Sequence, residues 1–435
     1  MTRNRWARRR WKILTAAATL IVTIVLGIGL VVRQDPTQAQ EALWLDQFGS
    51  SGHDAATGAA ADESGVVVVG WTSGALDASV ASGNRDAFVR RYAADGAVSW
   101  TSQFGTAGAD AAMAVAVGGP DAAVYVAGQL AGTGQVGETP FSAFVRKYTA
   151  DGTEVWTRQF GAEGASATTT AASVAVDGTG SVYVSGWVFG SLVAAETGAQ
   201  DDAFVRKYDT DGTEVWTHQI GGPGHDLASG VTVGERGDVY VAGQSDLSSG
   251  DVGSTFVRMY RPDGSEVWTR RIGAVNDVTV SVTVDGAGAV YQVGEAFPPE
   301  RVHSHAQSNH RGVPFVRKYD TDGTESWTEQ FGTAATDAIV KVAVDATGTV
   351  YVSGHTSRAT REGIPNLRSI AFVRAFGDDG ETGDVRQFAS VGHATTTAVA
   401  AGSPGEFYAV GWSRGVLSGM TANGPTDAFI GKVRL

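Results

Sequence analysis

Three histidines spaced as H-x-H-x4-H, His303, His305 and His310, lie near Glu295 and Glu300. Imidazoles and carboxylates at that density have the donor types to hold a transition metal; the plainer reading is a solvated loop, since Pro298 and Pro299 do not favour convergence. A second set follows seven recurring glycines: Trp71, Gln129, Trp187, Gln244, Glu295, His355 and Trp412. Indoles and amides gathered in one place would suit a sugar or a peptide, which stacks on flat rings and hydrogen-bonds to amides. Glu295 with His355 is the one acid and base pair there that could serve a hydrolase or lyase. Arg358 and Arg361, with Arg301, Arg311, Arg368 and Arg414, add a basic sector that could receive an anionic polymer or an acidic partner. Cysteine is absent, which removes disulfides, thiolate metal sites and a cysteine nucleophile. No Ser-His-Asp motif or phosphate loop is apparent.

The elements that must position these residues repeat. Phe88, Phe144, Phe204, Phe256, Phe315, Phe372 and Phe429 head similar segments at spacings of 56, 60, 52, 59, 57 and 57 residues. A steady period of this length marks a repeat architecture. The unit over residues 172–220 reads as four strands, ASVAV, SVYVSGW, AFVRKY and TEVWTHQI, with Asp/Gly turns inside both hairpins. Glycines 70, 128, 186, 243, 294, 354 and 411 also count seven units. Seven four-stranded units predict an all-β, seven-bladed propeller over residues 43–435. A four-residue turn would set Val205 opposite Trp216 and Lys207 opposite Glu214, and likewise Lys147 opposite Glu154 and Lys318 opposite Glu325.

The last unit stops at its third strand, while residues 43–48 form an outer strand with no unit before them. They are expected to pair with residues 429–435 and close the ring, because each would otherwise leave an open sheet edge. The long loops, from second to third strand and from blade to blade, share one face, the candidate functional face. Asp54, Asp110, Asp226, Asp277 and Asp337 recur at one loop position and should hold backbone amides. The Asp-Thr-Asp-Gly turns at 209–212 and 320–323 lack the distal glutamate of a calcium loop and read as hairpin turns. Lys341 stands where other units have small or apolar residues and is expected to project into the central channel.

Residues 13–32 are 20 uncharged, mostly apolar residues after a basic tail at 1–12, the pattern of a membrane anchor with the remainder outside. Cleavage of a signal peptide near Ala39 is the alternative. Residues 33–42 form a linker. Seven of the 33 basic residues lie within 1–33, leaving 26 against 46 acidic residues and a formal charge of −20, which disfavours nucleic acid.

The units DAFVRKY-x-x-DG-x-EVWTxQFG, followed by VAVD-x-x-G-x-VYVSG, resemble the SBBP repeat, a seven-bladed β-propeller repeat family, over about residues 43–435. The resemblance implies a propeller of the exported or surface type with no shared catalytic residues. Asp384 departs from it in place of Trp, as does Gly431 in place of Arg. The reading is a monomeric, membrane-anchored, non-catalytic binding module for a glycan, wall polymer or protein, with no cofactor unless the histidine loop takes a metal. Alternatives are a carbohydrate hydrolase or lyase, a structural spacer, or a quinoprotein-like dehydrogenase, whose family commonly carries eight blades and a vicinal Cys pair.

Overall fold

A computed structural model describes residues 42–434 apart from 77–81, 132–140, 163–166, 194–199, 223, 248–253, 273–276, 297–311, 333–336, 359–367, 389–391 and 418. Segments 1–12, 13–32 and most of 33–42 therefore lie outside the described residues, and among these no helix is long and apolar enough to cross a membrane.

Seven four-stranded antiparallel sheets make the propeller. In blade 3 the strands are Thr168–Val176, Val182–Phe189, Asp201–Tyr208 and Glu214–Ile220, from inner to outer. Blade 7 takes its outer strand from the other end of the chain: Trp44–Phe48 pairs antiparallel with Asp427–Arg434, Trp44 opposite Lys432 and Phe48 opposite Ala428. The ring closes as the orphan segment predicts. The core lies between blades, where buried Tyr, Phe, Val and Ala of neighbouring sheets interlock.

The repeated Trp and the repeated Asp-Gly turn are two halves of one contact. Trp44, Trp100, Trp156, Trp216 and Trp327 on outer strands each donate Nε1 to a turn carbonyl of the next blade, Ala94, Ala150, Thr210, Pro262 and Asp378, at 2.9–3.1 Å. The turn glycine must be small as well as left-handed. Gly212, at φ +75°, lies so close that a Cβ would come within 2.9 Å of the Trp156 indole. This explains Asp384. In blade 7 no hairpin turn joins the third strand to its outer partner, so blade 6 faces no turn that an indole could grip.

The register within the second hairpin differs from the sequence expectation. Val205 stands opposite His218, Lys207 opposite Trp216, and Glu214 opposite Tyr208. Lys147 and Lys318 likewise face Trp156 and Trp327. The physical reason is the turn. Gly212 N–H donates to the Asp209 carbonyl and Asp209 N–H to that of Thr213, closing a three-residue loop whose left-handed glycine forms a bulge and slides the pairing by two residues. The glutamates consequently pair with arginines, Arg146–Glu154, Arg206–Glu214 and Arg258–Glu266, each at 3.1 Å. The lysines reach other turns, as when Lys207 Nζ donates to Pro262 O in the next blade at 2.9 Å.

Each inner strand carries a bulge, and where the bulged residue is Thr57, Ser229 or Thr397 its hydroxyl binds the neighbouring inner strand. Thr57 donates to Ala112 O at 2.6 Å, and Thr397 of blade 7 donates to Ala56 O of blade 1 at 2.7 Å. These bonds tie inner strands across three blade junctions beside the axis.

Candidate functional site

The seven residues after the second-strand glycines occupy one register position, each one or more residues inside the long-loop end of its strand. All seven are half-buried. Two of them lean on the next blade rather than into open solvent: Gln129 Oε1 accepts from Thr170 Oγ1 at 3.2 Å, and Gln244 Nε2 donates to Thr279 O at 3.3 Å. Glu295 accepts from Gly312 N, just before the third strand of its own blade, at 3.2 Å. His355 stands opposite Ala338 and Ala371 at the same level of blade 6. Trp187 and Trp412 hold the matching places in blades 3 and 7.

Trp71 carries a partner that sequence reasoning missed. The Arg85 guanidinium lies 4.7 Å from the indole centre, in cation–π contact. Burial lowers the Arg85 pKa and the charge of Asp110 works against that fall. Arg85 Nε is buried with no hydrogen-bond partner among the described residues. The result is a flat, positively charged platform at the junction of blades 1 and 2, where Arg85 also accepts Asp110 N–H on its carbonyl at 2.8 Å. No sequence signal marks Arg85, because the residue just before the third strand differs from one unit to the next.

Buried aspartates and glutamines hold the long loops in place. Gln47, Gln103 and Gln219 on outer strands donate Nε2 to Asp427, Asp86 and Asp202 at 2.6–2.8 Å. Each also accepts a loop N–H, from Leu417, Leu76 and Leu192, at 2.9 Å. Three of the aspartates expected at blade entries, Asp54, Asp110 and Asp226, act as amide caps. Asp54 accepts from Ser50 N at 2.7 Å, Asp226 from Gly222 N at 2.9 Å, and Asp110 from Thr106 N and from Ala131 N, the latter at 2.8 Å. The D of DAF and the Q near the end of the outer strand both recur along the chain, but only the fold brings the two together.

Burial raises the Asp54 pKa above the usual carboxylate range and the nearby Asp427 charge adds to it, against hydrogen bonds that lower it. Ionisation is thus harder in the fold than in the unfolded chain. The Asp54 contribution favours the fold in acid and is lost as pH rises through the raised value. Comparing urea midpoints of wild type and Asp54→Asn between about pH 4 and pH 7 should show the wild type losing ground to the variant as pH rises. A constant difference would contradict the assignment.

Three further histidines stand at or beside the start of inner strands. His225 and His393 open theirs, and His53 forms a bridge with Thr426. His225 Nδ1 lies 2.9 Å from Asp201, His53 Nδ1 lies 3.1 Å from Thr426 Oγ1, and Ser369 N donates to His393 Nδ1 at 3.3 Å. They pin inner to third strands. His303, His305, His310 and Arg361 lie outside the described residues; among these no cluster of three or more metal-ligating side chains occurs. Arg358 and Arg368 are Cα partners at the long-loop ends of their strands in blade 6.

Comparison with known proteins places this geometry. Residues 155–187 match the SBBP family, described as a beta-propeller repeat. Regulatory protein FlaEY of Caulobacter vibrioides is 26% identical over 340 residues, which cover 66% of this chain and 34% of that protein. The chain thus spans about a third of the length of the curated relative it matches. Among solved structures, Kuenenia stuttgartiensis hydrazine synthase aligns over 83% of this chain and 92% of its own at 12% identity, with a TM-score of 0.50. A Dyadobacter fermentans protein of unknown function aligns over 91% and 99% at 10% identity, with a TM-score of 0.49. At 12% identity the match to hydrazine synthase speaks to fold alone. The sevenfold recurrence and the four-stranded blades it builds make this protein a seven-bladed β-propeller, and its residues 155–187 match the SBBP beta-propeller repeat.

Proposed function

We propose that the protein is a propeller displayed outside the cell that binds a glycan of the envelope through its long-loop face and performs no chemistry on it. Residues 13–32 anchor it to the plasma membrane in this reading; cleavage near Ala39 would instead release it. The observation that carries the proposal is the Trp71–Arg85 platform, a half-buried indole under a guanidinium at the mouth of a blade junction. Trp187 and Trp412 offer indoles at the same level, and Gln129 and Gln244 supply amides between them. Flat rings with adjacent amides match the faces and hydroxyls of a pyranose. Arg85, with Arg358 and Arg361, favours a glycan bearing carboxylate or phosphate over a neutral one. Similarity to a regulatory protein is in keeping with a role in recognition.

Screening the full chain on arrays of envelope polysaccharides tests this. Trp71→Ala, Trp187→Ala and Trp412→Ala should each weaken binding by about tenfold, the worth of one stacked ring. Unchanged binding in all three variants would move the site away from the mouth. Release of shortened glycan would replace the binding reading with an enzymatic one.

A further inference from the structure

The channel on the propeller axis is a cavity of about 380 Å³ lined by the inner strands of all seven blades. Its walls are Ala, Val, Gly, Ser, Thr and Met, and Lys341 is the one charged residue among the lining side chains. Lys341 follows the bulge in the blade 6 inner strand Asp337–Val344, opposite Ser353. The same place after the bulge holds Gly58, Ala114, Ser173, Gly230, Ser281 and Ala398 in the other blades. There the space beside the next inner strand is small. Ser173 fills it and accepts Val231 N–H at 3.2 Å, and a Cβ on Gly230 would meet Val282 at 2.8 Å. A lysine is too long for that slot, so its stem is carried along the channel wall.

The other lysines of the propeller are all satisfied. Lys147 pairs with Asp121 at 3.0 Å, Lys432 with Glu406 at 2.9 Å, and Lys318 with Asp378, while Lys207 donates to a backbone carbonyl. Lys341 has no hydrogen-bonding or ionic partner among the described residues, and no carboxylate lines the channel. Burial accordingly lowers its pKa with nothing to oppose the fall. A half-buried ammonium without a counter-charge is costly, and it is relieved either by losing its proton or by taking in an anion.

We propose that the axial channel is a binding site for a small monocarboxylate, with Lys341 receiving the carboxylate. Thr232 and Thr283 on other blades supply hydroxyls to the same space, and Val115, Val342 and Val399 offer apolar wall to a short alkyl group. A single cation selects a single negative charge. The site is separate from the mouth platform and stands or falls independently of glycan binding.

The test uses the full chain labelled with 13C,15N-lysine, whose six lysines give few signals. The Lys341 side-chain resonance, assigned by its loss in Lys341→Met, should titrate below the other lysines in weakly coordinating buffer. Propionate should raise its pKa and lift the thermal midpoint. The same variant, which keeps the stem length, should abolish the propionate-dependent midpoint shift. Chloride at equal ionic strength should do neither. The proposal is overturned if Lys341 titrates with the other lysines and ignores propionate, if chloride acts equally, or if Lys341→Met keeps the shift. Should the variant fail to fold, the wild-type titration with selective labelling of single lysines decides alone.

Discussion

Deleting residues 43–48 from the full chain is expected to open the ring and to cost more stability than any single substitution in it. That strand supplies the outer edge of blade 7 and grips blade 1 at the same time. Trp44 stacks on Tyr92 of blade 1 with centroids 5.6 Å apart and lies 6.0 Å from Tyr408 of blade 7. Phe48, buried to 6% exposure, meets Phe88 edge-on at 5.6 Å and lies under the Arg90 guanidinium at 4.4 Å. Phe48→Ala alone should cost about 3–5 kcal/mol, the usual loss for a buried phenylalanine. Deletion adds the lost strand pairing and leaves two facing blade surfaces wet. Guanidinium unfolding should show a lower midpoint and, because the transition loses cooperativity, a shallower slope. Phe160→Ala, inside an ordinary blade, is the control that weakens packing without opening the ring. A deletion variant as stable as wild type would refute closure by this strand.

Gly186→Ala is expected to be the most damaging one-carbon change in blade 3. Its Cβ would fall inside the contact distance of the Thr170 carbonyl oxygen, with Thr170 C at 2.9 Å and Ala171 Cα at 3.1 Å. These are backbone atoms of the inner strand beside its bulge, so nothing soft can give way. The same obstruction recurs in other blades: a Cβ on Gly70 would press on the Phe88 ring at 2.8 Å, and one on Gly411 on the Phe429 ring at 2.9 Å. Overpacking of this sort costs about 3 kcal/mol or more. Gly178→Ala, in a turn of the same blade with nothing within 4 Å, should change stability by less than about 0.5 kcal/mol. Paired urea melts of the two variants make the comparison, and equal effects would show that the seven glycines recur for some other reason.

How much was legible follows from which contacts repeat. A blade buries its faces only against its neighbours, so every blade must carry the same Phe, Tyr, Trp and Gly, and the period exposes them. The orphan strand was readable for the same reason, since half a unit at each end leaves two edges with only each other to pair. The hairpin register was not readable, because turn length alone does not reveal a left-handed glycine bulge that absorbs a residue. That error gave Glu154 and Glu214 the wrong partners, lysine in place of arginine. The Asp-Gln clamp escaped because Asp202 and Gln219 lie 17 residues apart on strands whose pairing that register sets. Arg85 over Trp71 escaped because the position just before the third strand does not repeat in the other units.

By itself, then, the sequence determined the class, the blade count and the closing strand, since those follow from periodicity and from unpaired edges. Only the tertiary structure decided what the recurring residues do: the Trp latches to a neighbour's turn, the glycine clears a bulged carbonyl, and the Asp of DAF organises a loop. It also showed why Asp384 breaks the pattern, there being no turn in blade 7 for an indole to meet, and that Lys341 is a lone charge in the channel. Those roles depend on contacts between blades, which arise from the curvature of the ring and leave no spacing in the chain to read.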